Sequence, residues 1–479
     1  MRRGHRLLPR RRFLILSAAA PLAGLSPRFL SAAGDRPARP CGPGAGYVPR
    51  VAAAFVRRRE DYGMLWPGAI FDGEAALANY RRQAEAACAE LGISLEMRPA
   101  PLYSEAEADA WLTEARRNQA DGLLVILLDR QRHAWPTAAK AADTGLPAVI
   151  FAPIGAAFTT NTAPLARREG ILIASTDDFR QAALGLKMIK AGSRLREMRF
   201  VVLRGDVRRE ERLAHFGTRL RYVPARTFLE EYERTEVDEQ ARRIAMRYLR
   251  NATAIRGPSE QDVLNGVRSY LVARNILERE EADGITMDCL GALGRTKVSL
   301  PCISWSSMLD DGVPAACEAD LGAAVTHALV QFLFDRPGFQ QDPVPETARN
   351  CLVGAHCTCP TRLRGFAQPP EPFFLSYHHG KRDAVPVPQW TVGERVTVAD
   401  ILLPGEEAPE PRMIISTGTV VDNVSVPPAG GCVVSVMVEL DGHPDLLDYP
   451  GFHQIFFYGD FKNELSAWCR LHRVRAVTV

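Results

Sequence analysis

Two carboxylates stand close together where an apolar stretch runs into a helical pattern. The segment 315–332 reads AACEADLGAAVTHALVQF, and its apolar residues after Asp320 recur at helical spacing. Asp320 directly precedes the predicted helix and is well placed as its N-cap. Glu318 lies outside that helix and is not needed for capping. It is therefore either a ligand-binding residue at the end of an α/β element or a solvated loop glutamate.

A third carboxylate follows the same predicted helix. Asp342 stands before a proline in DRPGFQQDPV, where it belongs either to an Asp-Pro turn or to a binding site. Hard divalent cations such as Mn²⁺ and Mg²⁺ are commonly held by two carboxylates, often with an imidazole and waters. If both ends of the helix fold over one point, Glu318 and Asp342 can share such an ion.

Several histidines in the last third of the chain are candidate imidazole ligands. They are His356 in GAHCTCP, the pair His378 and His379 in SYHHGKR, and His453 in GFHQIFF. A single histidine is more often structural than a ligand, and spacing alone does not choose among these. Asp288, at the end of the apolar run ITMD, either orients a ligand or starts a turn, and both interpretations stay open.

The elements that must position these residues follow an alternating pattern. Over 48–168, strand-like runs such as RVAAAFV, DGLLVILL and LPAVIFAP alternate with helical stretches. This order predicts a doubly wound parallel sheet. A second, less regular α/β domain is predicted over 169–349, with DGITMDCL and LPCISWS as strands, and it carries the acidic candidates.

The C-terminal part, 350–479, has a different hydrophobic pattern. Short β-rich runs such as ERVTVADILL and GCVVSVMVEL, punctuated by Pro and Gly, replace helical periodicity. The predicted fold class is therefore α/β: two doubly wound parallel-sheet (Rossmann-like) domains followed by a C-terminal antiparallel β-barrel-like domain.

The N-terminus resembles a targeting segment. RRRFL at 10–14, the apolar run ILSAAAPLAGL and the small residues SAA follow the order of a twin-arginine export signal. Residues 1–33 are thus predicted to be a signal, and the Pro/Gly-rich 34–47 a linker. The expected location is periplasmic or otherwise extracytoplasmic. The apolar run is too short for an ordinary membrane span, so no stable span is expected.

The composition is that of a globular protein and does not indicate nucleic-acid binding. The chain of 479 residues is 46% hydrophobic and 24% charged, which is typical of a globular protein. Its 59 basic and 56 acidic residues form no basic stripe, so nucleic acid is not an expected partner. There are ten cysteines without the spacing of a small disulfide-rich domain. The C-x-C at 357–359 is too tight to form a zinc site by itself.

Together, several of these segments resemble the L-fucose isomerase-like family, which is related to L-arabinose isomerases. The segments are GITMDCLGAL, LPCISWSSMLDDGVPAACEADLGAAVTHAL, RPGFQQDPV, RNCLVGAHCTCP and GERVTVADI. The resemblance covers roughly the whole chain after the signal and is most specific over 283–360. It implies two α/β domains, a barrel-like domain and homo-oligomers that complete the site. It also implies aldose–ketose isomerisation of a monosaccharide, by metal-assisted proton transfer through an enediolate.

The resemblance also implies a set of site residues. Glu318 matches the glutamate of the E-x-D motif, Asp342 the aspartate after the helix, and His453 the C-terminal histidine. These three are implied as ligands of Mn²⁺, or of Mg²⁺ or Co²⁺, with Glu318 and Asp342 also as the catalytic proton carriers. His356 lies in a further family motif and, with Asp288, is a predicted contact of the substrate.

Two alternatives have a different function. The β-α alternation and the export pattern also suit an exported sugar-binding protein with two α/β lobes and no catalysis. An isomerase fold recruited to another exported role is the third possibility. Metal content separates the enzyme from the binding protein, because only the enzyme is expected to need a divalent ion.

Overall fold

The computed structural model describes residues 36–59, 70, 72–130, 133–378, 382–405, 408–425, 432–442 and 445–479. The predicted signal at 1–33 lies outside the described residues. Among the helices within these ranges, none combines the length and the apolar character that a membrane crossing requires.

The segment 37–47, part of the predicted linker 34–47, is packed against later parts of the chain. The N–H groups of Gly44 and Ala45 donate to the Asp283 carboxylate at 3.0 and 2.9 Å. Ala38 is 1% exposed, and its N–H donates to the Tyr270 hydroxyl at 2.7 Å. The composition rich in Pro and Gly therefore gives a fixed, hydrogen-bonded strap and not a free spacer.

The first sheet is parallel, with strand order β2-β1-β3-β4-β5, the order of a doubly wound fold. Its strands are β1 (Arg50–Val56), β2 (Ser94–Met97), β3 (Gly122–Leu127), β4 (Ala148–Ala152) and β5 (Ile171–Ser175). All of β3 and β4 is buried, because helices cover both faces, as their unbroken apolar sequences predict. Strand β5 pairs with β4, so this sheet continues past residue 168, where the first domain was predicted to end.

The second sheet has the order β11-β10-β6-β8-β7 and is parallel except for β7, which pairs antiparallel with β8. Its strands are β6 (Arg199–Leu203), β7 (Arg209–Arg212), β8 (Arg219–Val223), β10 (Gly284–Met287) and β11 (Ala315–Cys317). The strand predicted for LPCISWS is wrong, because these residues begin a helix (Cys302–Asp310) that follows Pro301. That helix is buried on nearly all sides, so its short apolar sequence shows no helical period.

Six antiparallel strands close into a barrel in the order β16-β19-β12-β13-β18-β17, with β17 pairing back to β16. Strand β20 adds to β17 in parallel. The strands are β12 (Phe339–Glu346), β13 (Cys351–His356), β16 (Arg395–Leu402), β17 (Arg412–Asn423), β18 (Val434–Leu440), β19 (Gln454–Tyr458) and β20 (Arg475–Thr478). The barrel therefore starts at Phe339, before the predicted boundary at 350, and it contains Asp342.

A small third sheet has the order β15-β14-β9. Its strands are β9 (Ile255–Arg256), β14 (Phe373–His378) and β15 (Arg382–Pro388). Strand β14 pairs antiparallel with β15 and parallel with β9, so this sheet joins the segment 373–388 to the connection between α7 (Glu239–Asn251) and α8 (Glu260–Arg279).

The helices of the described residues are mostly the crossover connections of the two parallel sheets. They are α1 (Gly73–Leu91), α2 (Glu105–Arg117), α3 (Ala134–Asp143), α4 (Thr159–Thr162), α5 (Arg180–Glu197), α6 (Arg226–Arg234), α7 (Glu239–Asn251), α8 (Glu260–Arg279), α9 (Cys289–Leu293), α10 (Cys302–Asp310), α11 (Leu321–Phe334) and α12 (Lys462–Leu471). Helix α11 packs against α5, against β10 and β11, and against β16 and β19 of the barrel. All residues of α11 except Leu321 and Phe332 are buried, which explains why the helix has no polar face.

We expect α11 to be a main source of folding stability. Leu329 is fully buried in it, so Leu329→Ala should lower the free energy of unfolding by about 2–5 kcal/mol. The matched control is Leu447→Ala, because Leu447 is 77% exposed and should change that free energy by no more than about 0.5 kcal/mol. Urea denaturation of both variants measures the difference. Equal losses would contradict the central role of α11.

Candidate metal centre

Glu318 leaves the second sheet at the carboxyl end of β11, where ligands of parallel sheets usually bind. Its φ is +61°, and that of Ala319 is +56°, so two consecutive residues other than glycine adopt the left-handed conformation. Each such residue costs about 1–3 kcal/mol and is retained only where the surroundings enforce it. This tight turn places Glu318 at the strand end and Asp320 at the start of α11, and its strain is typical of functional sites.

Asp320 caps the helix as predicted, and it has a second role that the sequence analysis did not predict. One carboxylate oxygen, Oδ1, accepts the N–H of Ala323 at 2.8 Å. The other, Oδ2, lies 2.9 Å from Nδ1 of His453, which precedes β19 of the barrel. With Nδ1 donating to this carboxylate, Nε2 of His453 becomes available as a ligand. A histidine that binds a metal is usually fixed by a carboxylate in this way.

Nε2 of His453 faces the other two predicted ligands. It lies 3.2 Å from Oδ1 of Asp342 and 3.6 Å from Oε2 of Glu318. Nε2 of His356 lies 3.9 Å from Oε1 of Glu318. Two atoms that ligate one ion at about 2.0–2.2 Å are separated by about 3–4.4 Å. Glu318, His356 and His453 offer ligand atoms that all lie within 4.8 Å of one another, and Asp342 adjoins this group through Nε2 of His453.

The route by which Asp342 reaches this group differs from the predicted one. Helix α11 has 14 residues and is about 21 Å long, so its two ends cannot meet at one point. After the helix the chain returns in extended form, at about 3.3 Å per residue, along β12. Asp342 in β12 thus arrives beside Glu318, opposite Ala355 of the neighbouring strand β13.

Electrostatics at the centre favour a positive charge between the carboxylates. Burial would lower the pKa of His453, but hydrogen bonds and charges of Asp320 and Asp342 raise it to about 10. Oδ1 of Asp342 and Nε2 of His453 are buried and face each other at 3.2 Å, and neither has a further hydrogen-bond partner among the described residues. Buried polar atoms rarely remain unsatisfied. A divalent cation that replaces the imidazole proton would satisfy both, so the donor set fits the predicted metal.

Asp288 does not join this group. It ends β10 and caps α9, where its Oδ1 accepts the N–H of Gly291 at 3.0 Å. It is not among the described residues that line the neighbouring cavity. Of the two interpretations of Asp288, the structure therefore shows the start of a helical turn.

A cavity of about 150 Å³ adjoins the carboxylates. Its lining consists of Cys289, Leu290, Leu300, Pro301, Cys302, Trp305, Cys317, Glu318, Asp342, His356, Cys357, Thr358, His378 and Cys432. Drug-sized ligands occupy about 300–1,000 Å³, so this cavity suits a smaller molecule. Nε1 of Trp305 and Oγ1 of Thr358 are buried there without partners among the described residues, and both can hydrogen-bond a polar ligand.

Thiols form much of the cavity wall, which sequence reasoning missed. Sγ of Cys432 lies 4.0 Å from Oδ2 of Asp342, and Sγ of Cys357 lies 3.5 Å from Nδ1 of His356. Hydrogen bonds with neighbouring thiols lower the pKa of Cys357, while burial raises that of Cys432 to about 12. The available signal was the repeated placement of cysteine at the ends of elements, since Cys289, Cys302 and Cys317 each occupy such a position.

The two roles of Asp320 can be separated by mutation. Asn caps a helix about as well as Asp, so Asp320→Asn should keep the cap but lose the charge that orients His453. Asp320→Ala should be less stable than Asp320→Asn by about 1 kcal/mol, because it also loses the cap. Both should bind Mn²⁺ about 10–100-fold more weakly than the wild type. Calorimetric titration and urea denaturation test this, and wild-type Mn²⁺ affinity in Asp320→Asn would refute the orienting role.

The strained backbone at Glu318 gives a second prediction. Glu318→Gln keeps a residue with a Cβ in the left-handed conformation. Glu318→Gly removes this backbone strain but also makes the unfolded chain more flexible. We expect Glu318→Gly to be more stable than Glu318→Gln by about 0.5–1 kcal/mol, with Mn²⁺ affinity reduced in both. Denaturation without metal measures the first effect. A less stable glycine variant would show that the turn is not strained.

Comparisons with known proteins do not assign the chain to a family. No protein-family model matches it, and no curated protein matches it at a significant level. An ABC-transporter solute-binding protein from Burkholderia multivorans is 12% identical, covering 61% of this chain and 95% of that protein, with a TM-score of 0.17. The sugar-binding protein of a Bacillus halodurans sugar ABC transporter is 15% identical, covering 63% and 91%, with a TM-score of 0.16. Similarities at these scores support no inference about function.

Proposed function

We propose that this protein catalyses the aldose–ketose isomerisation of a small monosaccharide, with a divalent cation such as Mn²⁺ held by Glu318, Asp342 and His453. The observation that carries the proposal is the approach of both carboxylates to Nε2 of His453, at 3.6 and 3.2 Å, while Asp320 holds Nδ1. The homo-oligomer implied by the family resemblance belongs to the same proposal and rests on that resemblance alone.

The donor set indicates which ion would bind. Two carboxylates and an imidazole suit hard to borderline cations, namely Mn²⁺, Mg²⁺ or Co²⁺. When bound, the ion supplies the positive charge that stabilises the negative charge developing on the two oxygens of the reacting carbons. No side chain at the centre carries a permanent positive charge, because the charge of His453 is lost when its Nε2 becomes a ligand.

The reaction requires a proton to move between two neighbouring carbons, through an enediolate. A carboxylate next to the sugar can remove the proton from one carbon and return it to the other, which contributes about 10²–10⁴-fold. Glu318 and Asp342 both line the cavity, with side chains 38% and 27% exposed, so both can reach a bound molecule. Trp305 and Thr358 offer hydrogen-bonding groups to the sugar hydroxyls. Their role is to hold the sugar while the proton moves.

A second candidate is a sugar-binding protein without catalysis. The observation that favours it is a small cavity with buried polar groups at the carboxyl end of a parallel sheet, which is sufficient for binding alone. In that function the carboxylates would accept hydrogen bonds from sugar hydroxyls. Neither a divalent cation nor proton transfer would then be needed.

Isomerisation in D₂O separates the two candidates. Protein loaded with Mn²⁺ is incubated with L-fucose, L-arabinose or D-arabinose, and the products are analysed by NMR. We expect ketose carrying solvent deuterium on a reacting carbon, because the transferred proton exchanges with water on the carboxylate. Glu318→Gln should lower kcat/KM by about 10²–10⁴-fold.

The control variant is Glu439→Gln, because Glu439 is exposed on barrel strand β18 and should not affect turnover. Sugar binding that survives chelation, without ketose or deuterium, would establish the binding protein. Undiminished turnover in Glu318→Gln would refute the assigned role of this carboxylate.

A further inference from the structure

A second group of potential ligands lies in the same cavity and takes no part in the proposed isomerisation. Cys302, Cys357 and His378 offer two sulfurs and an imidazole nitrogen that all lie within 4.8 Å of one another. Cys302 begins α10, Cys357 follows β13, and His378 ends β14. The fold therefore assembles this group from three distant elements, and the short C-x-C pattern supplies only one of its members.

We propose that Cys302, Cys357 and His378 form a second metal site, which binds a thiophilic cation, Zn²⁺. Two thiolates and one imidazole are a common zinc ligand set, whereas Mn²⁺ and Mg²⁺ prefer oxygen. In a tetrahedron with Zn–S distances of about 2.3 Å and Zn–N of about 2.0 Å, ligand atoms lie about 3.5–3.8 Å apart. The three ligand atoms lie at most 4.8 Å apart, so side-chain movements of about 1 Å bring them to these separations.

The surroundings of the group suit a bound cation. Cys302 and His378 are 4% and 5% exposed, so little water competes for the ligand positions. Three protein ligands leave a fourth zinc position open. All three residues line the cavity, so that position is available to a small molecule.

The proposed zinc site is distinct from the carboxylate centre, although His356 lies between them. Nε2 of His356 is 3.9 Å from Oε1 of Glu318, and its Nδ1 is 3.5 Å from Sγ of Cys357. None of Glu318, Asp342 and His453 is a ligand of the proposed zinc site. The two sites can therefore be emptied independently by mutation, and the zinc site does not rest on the proposed isomerase activity.

Cobalt titration tests the proposal directly, because sulfur bound to Co²⁺ gives an intense near-ultraviolet charge-transfer band that oxygen and nitrogen ligands do not give. Metal-free protein is prepared under reducing conditions and titrated with Co²⁺, then with Zn²⁺. We expect the band to saturate with one sulfur-bound Co²⁺ per chain and to disappear as Zn²⁺ displaces that ion. Cys302→Ser and Cys357→Ser should each lose the band and bind Zn²⁺ at least 10-fold more weakly.

Two control variants make the result specific. Cys351→Ser changes another buried cysteine, on the strand β13 that leads to Cys357, and should keep the band. Glu318→Gln disrupts the carboxylate centre and should also keep it. A band that is absent from the wild type, or that survives in Cys302→Ser, would overturn the proposal. Zinc binding lost only in Glu318→Gln would overturn it equally.

A measurement on the wild type avoids variants that fail to fold. Native protein is alkylated with and without Zn²⁺, and the modified cysteines are mapped by mass spectrometry. We expect Zn²⁺ to protect Cys302 and Cys357 and a chelator to restore their labelling. Equal labelling in both states would contradict the proposal. A Cys302–Cys357 disulfide in unreduced protein without bound metal would contradict it as well, because it would identify a redox pair.

Discussion

The carboxylate of Asp320 connects the parts of the structure on which the candidate site depends. One of its oxygens satisfies the first turn of α11, and the other holds His453 of the barrel. Since α11 also packs against β10 and β11 of the second sheet, this single side chain fixes the barrel histidine relative to the strand end that carries Glu318. The ligand geometry is thus built on an interaction that the helix already needs for its own stability.

The cavity combines two kinds of chemistry that are usually found in separate proteins. Its carboxylates suit hard cations and proton transfer, whereas its thiols suit soft cations or redox reactions. Each set joins one residue near the second sheet to one in the barrel: Glu318 follows β11 and Asp342 lies on β12, while Cys302 begins α10 and Cys357 follows β13. His356 borders both sets, so a charge bound in one is felt electrostatically in the other.

The sequence predicted the features that depend on local signals. The unbroken apolar strands of the first sheet and the cap at Asp320 were predicted correctly, because burial on both faces and capping leave a direct pattern in neighbouring residues. The second role of Asp320 was not predictable, because its partner is distant in the chain. The same applies to Asp342, which reaches the site through the register of the barrel strand β12. Helix α10 was missed because a short, fully buried helix looks like a strand.

The positions of the ligands along the chain determine when the site can form during synthesis. Glu318 and Asp342 emerge from the ribosome well before His453, and helix α12 follows later still and packs against β5 of the first sheet. The carbonyl of Arg470 in that helix accepts the N–H of Gly170, so a distant part of the chain also contacts the edge of the first sheet. A chain cut before His453 therefore lacks this ligand and the helix that packs on β5, so the candidate ligand set needs both the second sheet and the barrel to be folded.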